Sequence, residues 1–391
     1  MTKKRIYLDH GATTPLHAQV AAAMRPYWDE QYGNPSSVHL FGQEAGRAVE
    51  QARETVADLL QAKPSEIIFT GCGSESDNLA VRGAMLAARA AGCGNHLIVS
   101  AIEHEAVLRT AEQLRDLFGF ELTVLPVNHH GRIDLNQLRQ AIRPDTALIS
   151  IMAANNEIGS LQPVAEIGAI AREQGVLFHT DAIQAATTQT WDMTTQPIDL
   201  LSLSPHKFYG PKGIGILYVR DGVELTPMLT GGSQEHGLRA GTSNVPLIVG
   251  AAQALQLVYD EADERLANYT ALRDRLISGV LTAVPQSCRL TGHPVERLPH
   301  HASFAFGHIS GNEILMHLDM AGIAASSGSA CKSGDPKPSA VLSAIGLSSE
   351  WTKGGLRLTV GTQNTVADID YAVETLAGVV ERLRKMQAMF A

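Results

Sequence analysis

The chain has 391 residues, 45% of them hydrophobic, and a formal net charge of −9 with acidic and basic residues interspersed. That length exceeds one ordinary core and implies about two domains, and the charge argues against nucleic acid or an anionic membrane as the main partner. No run of about 18 apolar residues and no leader with a cleavage site is seen, so neither a transmembrane helix nor a signal peptide is expected.

Residues 64 to 220 alternate strand-like and helix-like segments. EIIFT (66–70) is a short apolar run followed by the glycine-rich turn GCGSESDN and a helical stretch to about Ala91. HLIVSAIEH, ELTVLPVN, TALISIMAAN, GVLFHTDA and IDLLSLSPHK are further apolar runs, most of them ending in polar residues, with helical segments such as VAEIGAIAREQG between several of them. This alternation predicts an α/β domain with a largely parallel central sheet. Ligands of such sheets gather beyond the carboxyl ends of the strands. Pro246 opens a long helical stretch with a predicted break. After about residue 285, short strands (SFAFGHI, IAASSG, LRLTVG) and two helices (EILMHLDMAG, VADIDYAVETLAGVVERLRKM) predict a smaller α+β unit.

The four cysteines, Cys72, Cys93, Cys288 and Cys331, are scattered without a C-x-x-C pair or metal-ligand spacing. They form no disulfide framework, which suits a reducing cytoplasm, and no metal site is expected. His129–His130 reads as a polar turn before Gly131. Cys331 stands out because it lies in SSGSACKSGDPKPS (326–339), a serine-, glycine- and proline-rich stretch of loop composition. Cysteine is usually buried.

Three strand ends carry chemistry. In SLSPHKFYGPKG, Ser204, His206 and Lys207 bring hydroxyl, imidazole and amine together within four residues, the setting a Schiff-base lysine requires; by its position alone, a lysine is usually a solvated surface charge. In FHTDAIQ, Asp181 fits a cap or turn, but beside such a lysine a buried carboxylate can hold the ring nitrogen of pyridoxal phosphate in its protonated form, with Gln184 near the phenolic oxygen. In FTGCGSESDNL, Gly73 and Ser74 open a helix whose free N–H groups favour an anion, although a glycine turn can be only a tight connection.

The ordered set YLDHGATTP, YGNPSSVHLFG, GSESDN, EHEAVL, NNEIG, TDAIQ, SPHKFYGPKG, GLRAGTSN, SSGSAC and LRLTVG resembles the cysteine desulfurases of the NifS/IscS type, pyridoxal-phosphate enzymes of the class V aminotransferase family. The resemblance runs from Tyr7 to the last helix. It implies fold type I, an α/β architecture with a large cofactor domain at 15–260. A small domain of 1–14 and 261–391 carries the catalytic cysteine loop (about 326–339). The implied assembly is a homodimer with active sites at the subunit interface.

The same resemblance implies residue roles. Lys207 carries the cofactor, Asp181 pairs with its ring nitrogen, and Gln184 and Asn155 orient its oxygen side, Asn155 also facing substrate. His104 stacks on the ring and helps move protons. Gly73, Ser74, Ser204 and His206 hold the phosphate, with Thr242 reaching in from a partner subunit. Arg357 binds the carboxylate of L-cysteine, and Cys331 is the nucleophile that takes its sulfur as a persulfide and leaves alanine. The implied recipient is a protein sulfur acceptor such as an iron–sulfur scaffold. A selenocysteine lyase or an aminotransferase of the same fold is the alternative, and a non-catalytic scaffold a more distant one. The turn Cys72-Gly73-Ser74 departs from the Gly-Ala-Thr more usual in the family, and Pro205 stands where a small residue is usual and removes one N–H donor.

Overall fold

The structure, a computed structural model, describes residues 5–327 and 338–390. In chain order its strands are β1 (Ile6–Tyr7), β2 (Ile67–Thr70), β3 (His96–Ser100), β4 (Glu121–Leu125), β5 (Thr146–Ser150), β6 (Leu177–Asp181), β7 (Leu200–Leu203), β8 (Gly215–Val219), β9 (Cys288–Leu290), β10 (His301–Phe306), β11 (Ile323–Ala324) and β12 (Gly355–Thr359). Seven of them form one sheet in the order β2-β8-β7-β6-β5-β3-β4, parallel throughout except for β8, which runs antiparallel to both neighbours. The expected α/β fold with a mostly parallel sheet is what the chain adopts.

Side chains of the apolar runs alternate between the two faces of this sheet, as the period of a strand dictates. Ile67, Phe69, Ile98, Ile149, Leu201, Leu203, Ile216 and Tyr218 join the cluster on one face. Ile68, Leu97, Val99, Leu148, Leu200, Leu217 and Val219 join the cluster on the other. Helices cover both faces, Leu40–Leu60 and Val245–Asp260 on the first, Gly73–Ala90 and Glu105–Phe118 on the second. Burial on both sides explains why the strands read as continuous apolar runs and not as alternating ones. The long helical stretch begins with Asn244 as cap, its side chain accepting from the Leu247 N–H, and Pro246 in the first turn. It breaks at Glu261, between Asp260 and Ala262, where the backbone leaves helical geometry.

A separate apolar cluster joins Ile6 and Leu8 to the helices Ala262–Ala283, Gly311–Met320 and Val366–Phe390 and to strands β10 and β12. Here β9, β10 and β12 make a three-stranded antiparallel sheet, and β1 pairs in parallel with β11. The N-terminal strand is thus packed among residues three hundred positions later. A small fourth cluster seats Val341, Leu342 and Ile345, from the short helix Ala340–Ala344 and its end, on Ile102, Met152 and Ile158 at the foot of the large sheet's loops. Among the described residues, no helix is long and apolar enough to cross a membrane.

Candidate active site

The strand order reverses direction between β3 and β5, the point where a crevice opens beyond the carboxyl ends of parallel strands. A cavity of about 220 Å³ lies at these ends, and Gly73, Ser74, His104, Asp181, Gln184, Ser204, His206, Lys207 and Arg357 all line it. Residues picked out from five separated segments therefore meet in one place.

The anion cradle comes from the turn between β2 and the helix Gly73–Ala90. Cys72 is the N-cap residue, with extended backbone, and the first-turn N–H groups of the helix have no intrahelical acceptor. Gly73 sits at a close approach: a Cβ there would lie 2.5 Å from Ile183 Cδ1 and 3.0 Å from Ser204 Cβ, so a larger residue needs the Ile183 side chain to shift. The turn is braced by Thr70 Oγ1, which lies 2.7 Å from Ser76 Oγ, and by Glu75, which accepts from Gly71 N and Arg239 Nε.

Lys207 ends a 3₁₀ turn that starts at Pro205, where the missing N–H costs nothing because no acceptor precedes it. Its Nζ donates to the carbonyls of Gly11 and Ala12, each at 2.8 Å. Burial, and then the nearby Arg357 guanidinium, push its amine down to about 8. His206 lies 3.1 Å from Thr13 Oγ1 through Nδ1, and burial and the neighbouring Lys207 hold it neutral, at about 4. The segment from Gly11 to Thr14 is thus laced to the Lys207 turn; Thr14 N donates to His206 O and Tyr209 N to Thr14 Oγ1.

Asp181 is the last residue of β6. One carboxylate oxygen accepts from Ile183 N at 2.9 Å, and burial raises its pKa, against the attraction of His104 and Lys207. Asp77, fully buried on the adjoining helix, is pushed higher still by burial and by Asp181. Two buried carboxyls cannot both ionise at low cost, and the attraction of His104 and Lys207 favours charge on Asp181 over Asp77. His104 caps the helix Glu105–Phe118 and accepts from Ala106 N through Nδ1 at 3.1 Å. That bond leaves the ring hydrogen on Nε2.

Arg357 stands in the middle of β12. Its Nη1 donates to Asn156 O at 2.8 Å and its Nη2 to Asp9 Oδ1 at 2.9 Å, while Nε is buried with no partner. Gln184 donates to Gly11 O at 2.9 Å, and its buried Oε1 also has no partner. Both atoms belong to side chains that line the cavity, where a bound ligand or water could satisfy them.

One expectation needs correction. Asn155 does not face the cavity: it is fully buried, its Nδ2 donating to Ile102 O and its Oδ1 accepting from Glu157 N and Ile158 N. Its carboxamide is used up in shaping the turn after β5, and Asn156 takes the place on the cavity wall. Thr242, expected to reach the cavity of a partner subunit, is exposed and does not line this chain's own. Cys331 lies outside the described residues. Asp9, Gly11, Ala12, Met152 and Asn156 were not picked out from the sequence; Asp9 and the two carbonyls sit within YLDHGATTP, a run whose polar residues directly after a short strand are the available signal.

Residues 6–372 match the aminotransferase class-V family. The chain belongs to this family. Its members include a Methanosarcina thermophila protein named cysteine desulfurase IscS, 47% identical over 386 residues that cover 99% of this chain and 94% of that one. A Dictyoglomus turgidum protein of the same name is 45% identical over 382 residues, 98% and 96% of the two chains. A solved structure described as a NifS-like protein superposes with a TM-score of 0.91 at 35% identity, covering 97% of this chain and all of the other. In the class-V chain described here, the cavity at the switch point of the large sheet is where the family's chemistry is to be sought.

Proposed function

We propose that this class-V protein is a pyridoxal-phosphate-dependent cysteine desulfurase that converts L-cysteine to L-alanine and collects the sulfur as a persulfide on Cys331. The observation that carries the reading is the convergence of Lys207, Asp181, His104 and Arg357 on one cavity with a glycine-cradled helix N-terminus. The near full-length similarity to proteins named cysteine desulfurase supports it.

The residues fit the cofactor. The helix start at Gly73 and Ser74, with Ser204 and His206, would hold its phosphate; Asp181 would pair with its ring nitrogen, and Gln184 and Asn156 lie on the side left for its oxygen. Bound there, pyridoxal phosphate supplies an electron sink for bonds at the substrate's α and β carbons. A Lys207 amine that titrates near 8 is in part uncharged at neutral pH and able to act as a nucleophile. His104 presents Nε2–H to the cavity and can hold or deliver a proton there. The Arg357 guanidinium, with Nε unpaired, would take the substrate carboxylate. In the transfer itself the Cys331 thiolate forms an S–S bond to the substrate sulfur as the Cβ–S bond breaks. The carbon skeleton keeps that electron pair, gains a proton and leaves as alanine.

Two cores support the proposed division into a large domain at 15–260 and a small one formed by 1–14 and 261–391. We propose a homodimer, for which Trp28, Tyr32, Val38, Leu40 and Phe41 offer an exposed apolar surface, with Thr242 serving the partner's cavity. A sulfur acceptor such as an iron–sulfur scaffold then receives the persulfide sulfur, or the sulfur serves other thiolation, in a cytoplasm reducing enough to keep Cys331 a thiol.

Incubation with L-cysteine followed by mass spectrometry tests the reading. The expected result is a 1:1 yield of alanine and sulfide in the presence of a reductant and a persulfide mapped to Cys331. An active Cys331→Ala variant would point instead to an aminotransferase of the same fold.

A further inference from the structure

Residue Glu157, in the turn after β5, has no part in the reading above. Its carboxylate Oε2 accepts from Ser339 Oγ at 2.6 Å. Ser339 is buried and caps the helix Ala340–Ala344, its Oγ accepting from Leu342 N at 3.0 Å. Glu157 is itself held firmly: its N–H and that of Ile158 donate to Asn155 Oδ1, each at 2.9 Å, and Ile158 packs with Val341, Leu342 and Ile345. Asn155, taken out of the cavity, is thereby the post on which Glu157 is mounted.

The other side of the cysteine stretch is tied to the same wall. Arg357 N donates to Ser326 O at 2.6 Å and Ser326 N to Arg357 O at 3.1 Å. Arg357 Nη1 in turn donates to the carbonyl of Asn156, the residue before Glu157. Residues 326 and 339 are therefore fixed to one connected set of groups, Arg357–Asn156–Glu157, that also borders the cavity.

We propose that Glu157 is a positioning residue for sulfur transfer: through Ser339 it sets where the chain re-enters the folded body after Cys331, in register with the guanidinium that would hold the substrate carboxylate. Burial raises the Glu157 carboxyl to about 7, and its Oε2 accepts a short bond from the Ser339 hydroxyl that is charge-assisted in the ionised form. Errors of about 1 Å at a reacting pair cost as much as about 10²-fold in rate. The inference rests on the reading of Cys331 as the sulfur-accepting thiol.

The test uses the cofactor-loaded enzyme and three variants: Glu157→Ala, Ser339→Ala and Glu157→Gln, the last keeping an oxygen acceptor for Ser339. Single-turnover persulfide formation at Cys331 is followed by mass spectrometry, and cysteine binding by the spectral change of the bound cofactor. In Glu157→Ala and Ser339→Ala, persulfide formation slows about 10-fold or more, whereas half-saturation by cysteine stays within about twofold; Glu157→Gln recovers to within about threefold. In the cofactor-free protein, alkylation of Cys331 by iodoacetamide changes rate by about threefold or more in the two alanine variants and not in Glu157→Gln. Wild-type persulfide rates in both alanine variants overturn the inference, as does an equal loss of rate and cysteine affinity. If Glu157→Ala does not fold, Ser339→Ala decides the matter alone. A wild-type protein that forms no persulfide at Cys331 overturns the proposed function instead.

Discussion

One wall of the cavity, with Lys207 and Asp181, is made of loops that follow neighbouring parallel strands; the other, with Arg357, joins side chains 348 residues apart, Asp9 and Arg357. The first wall follows from sheet topology, since every parallel strand delivers its carboxyl end to the same edge. The second exists only because β1 pairs with β11 and the chain's two ends pack into one cluster. On the proposed reading, the first wall holds cofactor and the second holds substrate. The division of labour can be broken one wall at a time.

Lys207→Ala strikes the first wall and has the largest effect. Desulfuration falls by about 10³-fold or more, and the visible absorbance band of the bound cofactor disappears. Retention of that band and of turnover would remove Lys207 from the chemistry. Arg357→Ala strikes the second wall: KM for cysteine rises about 10²-fold, as expected for loss of a charge-assisted pair, and cofactor affinity stays within about threefold. Parallel loss of cofactor and substrate binding in this variant would mean that the walls are not separable.

The smallest effect sharpens how the walls communicate. Lys207 titrates near 8, held down by burial and then by Arg357. Below that pH it is an ammonium ion bonded to Gly11 O and Ala12 O, and above it a free amine. The rate at which cofactor-free protein captures pyridoxal phosphate therefore rises with pH through about 8 and then levels off. In Arg357→Ala the midpoint moves upward, because the positive neighbour that disfavours the ammonium is gone. A midpoint that does not move would show that burial alone sets it.

Legibility in the sequence divides along the same line. The sheet could be read because its strands are buried on both faces, and Asp181 and Lys207 could be found because they end such runs. Of the cavity's other groups, Asn155 and Asn156 are adjacent in a turn, where one side chain shapes the backbone and the other faces the cavity; composition does not say which. Gly11 and Ala12 act through carbonyl oxygens, which every residue possesses, so no side-chain pattern announces them. Glu157 had no visible partner, because Ser339 lies 182 positions away and meets it only in the folded chain. Gly73 was readable as a turn glycine, but the crowding that disfavours a larger residue, the approach of Ile183 and Ser204, is tertiary.

The pairing of Ile6 and Tyr7 with Ile323 and Ala324 also sets a timetable. Translation delivers the N-terminal segment first, but its partners, and Arg357 beyond them, emerge more than three hundred residues later. Until then the strand that leads into Gly11 and Ala12 lacks its β-pairing partner, and the segment is held by its bonds to the Lys207 turn and Gln184. On the proposed reading, the finished cavity, with both of its walls, forms only after Ile323, Ala324 and Arg357 have been made, so capture of pyridoxal phosphate there follows their synthesis.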